Sequence, residues 1–431
     1  MKRIAAVLLS LAAAASAQTP SQAIDQLIDR DLPSLVATYK QLHAAPELSM
    51  QEKKTSEFVA ARLRELGYEV TYPFGNYSDQ QYSCYGIVAV MKNGAGPMVL
   101  VRADMDALPV AEQTGVPYAS QNAGVMHACG HDVHMTTLLG TAKLLAELKS
   151  KWHGTVMLIG QPAEEVVKGA AAMLRAGLYE KFGRPDFAIA LHDHAGMPAG
   201  QIGWFPGYFM ASADSLNVTI RGMGGHGASP QSTKDPVVMA AEFVVALQTI
   251  VSRETSPLDS AVVTVGSIHG GTKRNIIPDE VQLLMTVRTY KPEVRKRVLA
   301  SIDRIARGIA LTAGVPDDRA PIVELLAHES VDATWNDPAL AERLGKALAR
   351  DMGAQNVVKM EPLMVSEDFG LFGLDRKIPA VALNVGAVDP AKIASGERLP
   401  SLHSSQFVPV PEATIRGGVK AMVLSVMELL R

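Results

Sequence analysis

Thr155-Val-Met-Leu-Ile-Gly160-Gln161-Pro162-Ala163-Glu164-Glu165 joins a short apolar run to a pair of carboxylates. The run from Thr155 to Gly160 has the length and aliphatic content of a strand, so the two acids fall just past its end. Similar runs stand at Gly86 to Met91, Met98 to Arg102 and Phe187 to Leu191. Around them, Leu35 to Leu66, about Asp132 to Leu148 and Gly169 to Leu178 carry apolar residues at helical spacing. This alternation predicts an α/β fold with a mostly parallel sheet covered by helices. Such sheets gather functional groups at the carboxyl ends of their strands. Asp104, Glu164 and His192 each follow one of the runs and are expected to converge there.

The pattern changes after Gly207. Leu216 to Arg221, Ala261 to Ile268, Val281 to Thr289 and Ile322 to Leu326 read as strands, and Pro236 to Arg253 and Lys291 to Ala313 as helices. The order is β-α-β-β-α-β, that of a ferredoxin-like α+β unit. Because Glu367 and His403 come after it, this unit, residues 213–327, is expected as an insertion into a larger domain made of residues 18–212 and 328–431.

A chain of 431 residues with 48% hydrophobic content buries a large core. Its 41 basic and 44 acidic side chains give a net charge of −3 without a basic run, which argues against nucleic acid or an anionic membrane as partner. Lys2 and Arg3, the apolar run Ile4 to Leu11 and the ending Ala15-Ser16-Ala17 have the form of a secretory signal, residues 1–17, too short to span a bilayer. The mature chain is therefore expected to be exported without a stable membrane anchor, to the periplasm if the source is Gram-negative. In an oxidising compartment Cys84 and Cys129 have the option of a disulfide. Against it, Cys129 sits in His127-Ala-Cys-Gly-His131, where a thiolate and an imidazole two apart suit a shared metal.

Cys129 and His131, Glu164 and Glu165, His192 and His403 are together the donor types of a hydrolytic metal site. Arg102-Ala-Asp-Met-Asp-Ala-Leu-Pro109, Met126-His-Ala-Cys-Gly-His-Asp132, Gln161-Pro-Ala-Glu-Glu165, Ala190-Leu-His192, Ser366-Glu-Asp-Phe369 and Leu402-His403-Ser404 follow one another in a set order. In that order the chain resembles the aminoacylase/carboxypeptidase family of two-metal hydrolases, from about His43 to Phe407. The likeness is greatest to the amidohydrolase branch, which includes hippurate hydrolase and the plant hydrolases of indole-acetyl amino acids.

The resemblance implies two divalent ions per chain, zinc, manganese, cobalt or nickel. It implies Cys129 as the bridging ligand, with His131 and His192 on one ion and Glu165 and His403 on the other. Glu164 is implied as general base, with adjacent side chains on extended backbone diverging so that Glu165 ligates while Glu164 faces the attacking water. Asp106 is expected to orient a ligand or the base, with a hydrogen-bonded turn as the alternative, and Ser366, Glu367 and Asp368 to support the centre. His127, His134 and His194 are left between supporting and surface roles. Gly224-Gly-His226-Gly227 resembles the lid histidine that donates to the carbonyl oxygen, although glycines on both sides equally suit a turn. Arg274 and Asn275 resemble a substrate-contacting segment, and relatives often dimerise through the inserted domain.

This chain departs from the branch at Val166-Val167, where a glycine-rich turn is usual, and at Asp193-His194, where an aromatic residue and a proline are usual. The resulting expectation is an amidohydrolase of N-acyl amino acids or related small amides. A carboxypeptidase or dipeptidase on the same scaffold is the nearest alternative, and a non-catalytic periplasmic solute-binding protein the alternative of another class.

Overall fold

The computed structural model describes residues 20–431; the expected export signal lies outside the described residues. An eight-stranded mixed sheet forms the larger unit. Its middle four strands, in the order Gly154–Gln161, Met98–Asp104, Phe187–Pro198 and Ala380–Val388, are mutually parallel. Antiparallel neighbours flank this block: Gly86–Asn93 on one side, and Ile202–Trp204 on the other. The expected parallel sheet is thus its centre, and antiparallel strands flank it.

Alternation along the central strands explains why they read as unbroken apolar runs. Val99, Val101, Val156, Leu158, Ile189 and Leu191 pack with helices Pro20–Ala44, His131–Glu147 and Pro411–Leu429. Leu100, Met157, Ile159, Ala188 and Ala190 enter a second core with Phe369 and Phe372. Both faces are therefore covered, as parallel strands require. The single helical stretch expected from Leu35 to Leu66 is two helices, Pro20–Ala44 and Lys53–Glu65. The intervening Pro46, which lacks an N–H and keeps its predecessor out of helical geometry, accounts for the break.

Four antiparallel strands make the second sheet, in the order Ala261–Gly270, Glu280–Thr289, Ser212–Arg221, Ile322–Leu325. Helices Pro236–Thr249 and Pro292–Thr312 pack on one face through Phe243, Leu247, Val298 and Ile302, against Val218, Leu283 and Val287. Asp235 caps the first of these helices by accepting from the Val237 N–H, and Pro236 follows at its first position. The two crossings to the larger unit run side by side: Ala213 and Val331 exchange backbone hydrogen bonds of 3.0 and 2.9 Å. Arg295 clamps the junction, forked on Asp214 and reaching Asp332.

Candidate metal centre

Three neighbouring parallel strands end at one edge of the main sheet, and helix His131–Glu147 begins there. Between Cys129 and that helix the chain turns at Gly130, whose φ is 76°. A Cβ on Gly130 would lie 2.3 Å from Asp193 Oδ2, so only glycine fits the turn that sets the thiol beside the first helical residue. Cys129 Sγ is 3.6 Å from His192 Nε2 and 3.3 Å from His403 Nε2. His403 Nε2 in turn is 3.5 Å from Glu165 Oε2. Cys129, His131 and His192 form one cluster and Cys129, Glu165 and His403 another, each with its donor atoms within 4.8 Å of one another. Cys84 and Cys129 are both free and buried, so the disulfide alternative does not hold.

The donor atoms fit a cation. Both ring nitrogens of His131 and Oε1 of Glu165 are buried without a hydrogen-bond partner. Each such orphan costs about 1–3 kcal/mol, a penalty that coordination removes. A thiol, imidazoles and a carboxylate are also the donor set that divalent transition metals take.

Glu164 and Glu165 sit in a turn rather than on extended backbone as expected. Their divergence comes instead from Asp106, whose two carboxylate oxygens accept from the Glu164 N–H at 3.1 Å and the Glu165 N–H at 3.0 Å. Ser49 Oγ donates to the same carboxylate at 2.7 Å, and Asp106 Oδ1 stands 3.4 Å from His131 Nδ1. One step earlier, buried Glu52 accepts from the Ala163 N–H. Glu165 consequently reaches both His131 and His403, while Glu164 Oε2 approaches only His131, at 3.9 Å. Burial, then the nearby Glu367 and Glu165, push the Glu164 carboxyl well above the usual carboxylate range. Burial likewise raises Glu165 to about 7. Ala163 and Val167 have φ of 51° and 50°, a region that costs a non-glycine residue about 1–3 kcal/mol.

Arg102 lies beneath, fully buried, bonded to Asp104, Gln161, Glu367 and Asp368. Asp368 also accepts from Gln161 and from the Ala170 N–H. Glu367 and Asp368 thereby tie the ends of two strands to a helix start. Ser366 lies at the cleft surface. Of the three histidines left open, His134 is buried and bonded to Asp104 at 2.6 Å. His127 is buried with both ring nitrogens unpartnered, and His194 lines the cleft. His192 belongs to the strand Phe187–Pro198, which continues past the expected end at Leu191.

The cleft over these groups has a volume of about 560 Å³. Its walls include Val167, Met210, Leu363 and Val365, with Asn384 and Arg288 among the polar groups. Arg288, on the inner edge of the inserted sheet, has no carboxylate partner among the described residues, and burial lowers its pKa. The sequence reading missed it, since alternation along a strand does not tell which outward residue overlooks a cleft. His226, Arg274 and Asn275 are not brought to these walls. They form an exposed ribbon where Gly225–His226 pairs with Ile276–Ile277, and the Gly227 N–H donates to the Asn275 carbonyl.

Parallel strands that deliver such donors to one cleft, beneath an inserted α+β unit, define a metal-dependent hydrolase. Residues 100–427 match the model of peptidase family M20/M25/M40, and the chain belongs to that family. It is 40% identical over 339 residues to the hippurate hydrolase of Campylobacter jejuni, covering 77% of this chain and 83% of that protein. An Arabidopsis thaliana IAA-amino acid hydrolase, ILR1-like 2, is 37% identical over 343 residues, 78% of this chain and 74% of the relative. Among solved structures, a dinuclear metal binding peptidase of the M20 family from Bacillus subtilis superposes with a TM-score of 0.74 at 29% identity, covering 94% of this chain and all of that one. The family expected from the six sequence motifs is therefore the right one, and the chain is an amidohydrolase of it.

Proposed function

We propose that this enzyme hydrolyses the amide bond of N-acyl amino acids at a two-ion centre, with Cys129 shared, His131 and His192 on one ion, and Glu165 and His403 on the other. The observation that carries the reading is the Cys129 thiol set between His192 Nε2 and His403 Nε2, at 3.6 and 3.3 Å. When bound, the ions supply Lewis acidity that polarises the scissile carbonyl and acidifies the attacking water. A thiolate with imidazoles favours zinc.

The chain's own groups do the rest. Glu164, held by Asp106 and kept at a raised pKa by burial, accepts the proton of the attacking water and returns it to the departing nitrogen. Arg288, whose guanidinium has no carboxylate partner among the described residues, receives the carboxylate of the amino-acid half. Met210, Leu363 and Val365 receive apolar substituents. His226, Arg274 and Asn275 reach a cleft when the inserted unit closes or when a second copy presents its own. Exposed Val237, Val238 and Val245 on helix Pro236–Thr249, with Val262 and Ile268 on the edge strand, support a homodimer through this unit. Export on the signal at residues 1–17 is part of the same reading.

A panel of N-acyl amino acids and dipeptides, assayed with and without a chelator, tests it. The expected result is turnover of the acyl amino acids, lost on chelation and restored by a divalent ion. Preference for dipeptides would move the assignment to a dipeptidase, and binding without turnover to a solute-binding protein.

A further inference from the structure

Asp193 follows His192 in the strand Phe187–Pro198 and is 1% exposed. Its backbone N–H donates to His134 Nε2 at 2.9 Å. A backbone N–H can only donate, so that ring nitrogen is unprotonated and His134 carries its proton on Nδ1, donated to Asp104 Oδ1 at 2.6 Å. Asp104 Oδ2 accepts from Arg102 at 2.5 Å, a cation it shares with Glu367 and Asp368. His134 therefore has no proton to give the Asp193 carboxylate, although Nε2 lies 3.3 Å from Oδ1. The proton on Nδ1 of His192 goes to the Asp193 carbonyl at 2.8 Å, with the carboxylate Oδ1 3.2 Å from the same nitrogen. Asp193 Oδ2 has no hydrogen-bond partner among the described residues.

A buried carboxylate with half its acceptors empty is costly unless a positive charge stands close. Asp193 groups with His134 and His192, and His192 is shared with the cluster of Cys129, His131 and His192, which is a place for one. We propose that Asp193 is a positioning residue for that centre: its carbonyl and carboxylate together hold His192 with Nδ1–H inward and Nε2 toward Cys129, and the carboxylate's negative charge balances the cation held there. The inference rests on the two-ion reading and goes beyond it, because it singles out one of the two positions. Carboxylate support of a ligating imidazole typically contributes 10–100-fold in metal affinity.

The test is metal retention by the holo-protein during chelator titration, with bound metal counted, in wild type and in Asp193→Asn. The expected outcome is that one of the two ions leaves at a chelator concentration 10–100-fold lower, the other is released as in wild type, and cobalt-substituted protein shows altered visible bands. The metal-free variant should melt no lower than metal-free wild type, because a poorly partnered buried charge has been removed; a purely structural role would instead lower that melting temperature and leave metal release unchanged. Equal release of both ions from the two proteins overturns the inference while leaving the centre intact. A wild type that holds no divalent ion overturns the centre itself. If Asp193→Asn does not fold, Asp193→Glu tests the same point, with a smaller loss confined to one ion expected and unchanged release overturning it.

Discussion

The two units solve opposite problems. In the larger one, charged side chains are buried: Arg102, Asp104, Asp106, His131, Glu164 and Asp368 all lie out of solvent. In the inserted one, apolar side chains are exposed, among them Val237, Val238, Val245, Leu258, Ile268 and Leu284. Buried charge is tolerated only in a rigid and fully determined network, so the larger unit is where chemistry is held in place. Exposed apolar surface on a separately cored sheet suits a part that moves or meets a partner. The difference teaches that a fixed charged network and an apolar contact surface are built on separately cored sheets.

Breaking the buried side should have the largest effect. Glu164→Gln keeps the shape of the turn but removes the proton carrier, and turnover should fall about 10²–10⁴-fold with metal content unchanged. Glu165→Gln, by contrast, should release metal, and elemental analysis separates the two. Should the phenotypes exchange, base and ligand are reversed. On the inserted unit, His226→Ala should lower kcat about 10²–10³-fold with a smaller change in KM. Mixing His226→Ala with Glu164→Gln subunits should restore activity if the histidine comes from a second copy, and no rescue in verified mixed dimers confines it to its own chain. Arg288→Ala should raise KM by about tenfold to a hundredfold for carboxylated substrates and much less for their amides, the loss of a charge-assisted contact of roughly 1.5–3 kcal/mol.

The last prediction concerns stability. Buried His43 bonds Asp132 at 2.7 Å and Glu112 at 3.1 Å. Burial works against its charge, but these carboxylates outweigh burial and raise it to about 9. A histidine raised on folding stabilises the native state fully below its unfolded value of about 6.5, and the contribution is lost as pH climbs through 9. Melting temperatures should accordingly decline across that window in wild type, and His43→Gln should flatten the decline.

Part of the centre was legible in the sequence because some of its groups stand at the ends of apolar strands. Glu164, Glu165 and Asp104 follow or close such runs, and a parallel sheet brings its strand ends together whatever their separation along the chain. The order of elements in the inserted unit was also readable from periodicity. Orientation was less so. Asp106 could be read as orienting a ligand, orienting the base or closing a turn, and it touches all three through Glu165, Glu164 and His131. Arg288 and Glu52 carried no local signal, since what distinguishes them is the group opposite in space. His226 stood out by its resemblance to the family's lid histidine, with a glycine turn as the alternative, but its distance from the cleft depends on how two separately packed units meet.

The paired crossings at Ala213 and Val331 bear on how the chain reaches its fold. A whole domain's length of sequence separates them, yet they bond directly to each other. Once the inserted sheet has formed, its two ends already lie a strand's width apart, so for the main sheet the intervening segment acts as a tight turn. The entropy of closing that loop, which grows with the logarithm of its length, is then met within the insertion itself. Contacts that are remote in sequence thereby become local in folding.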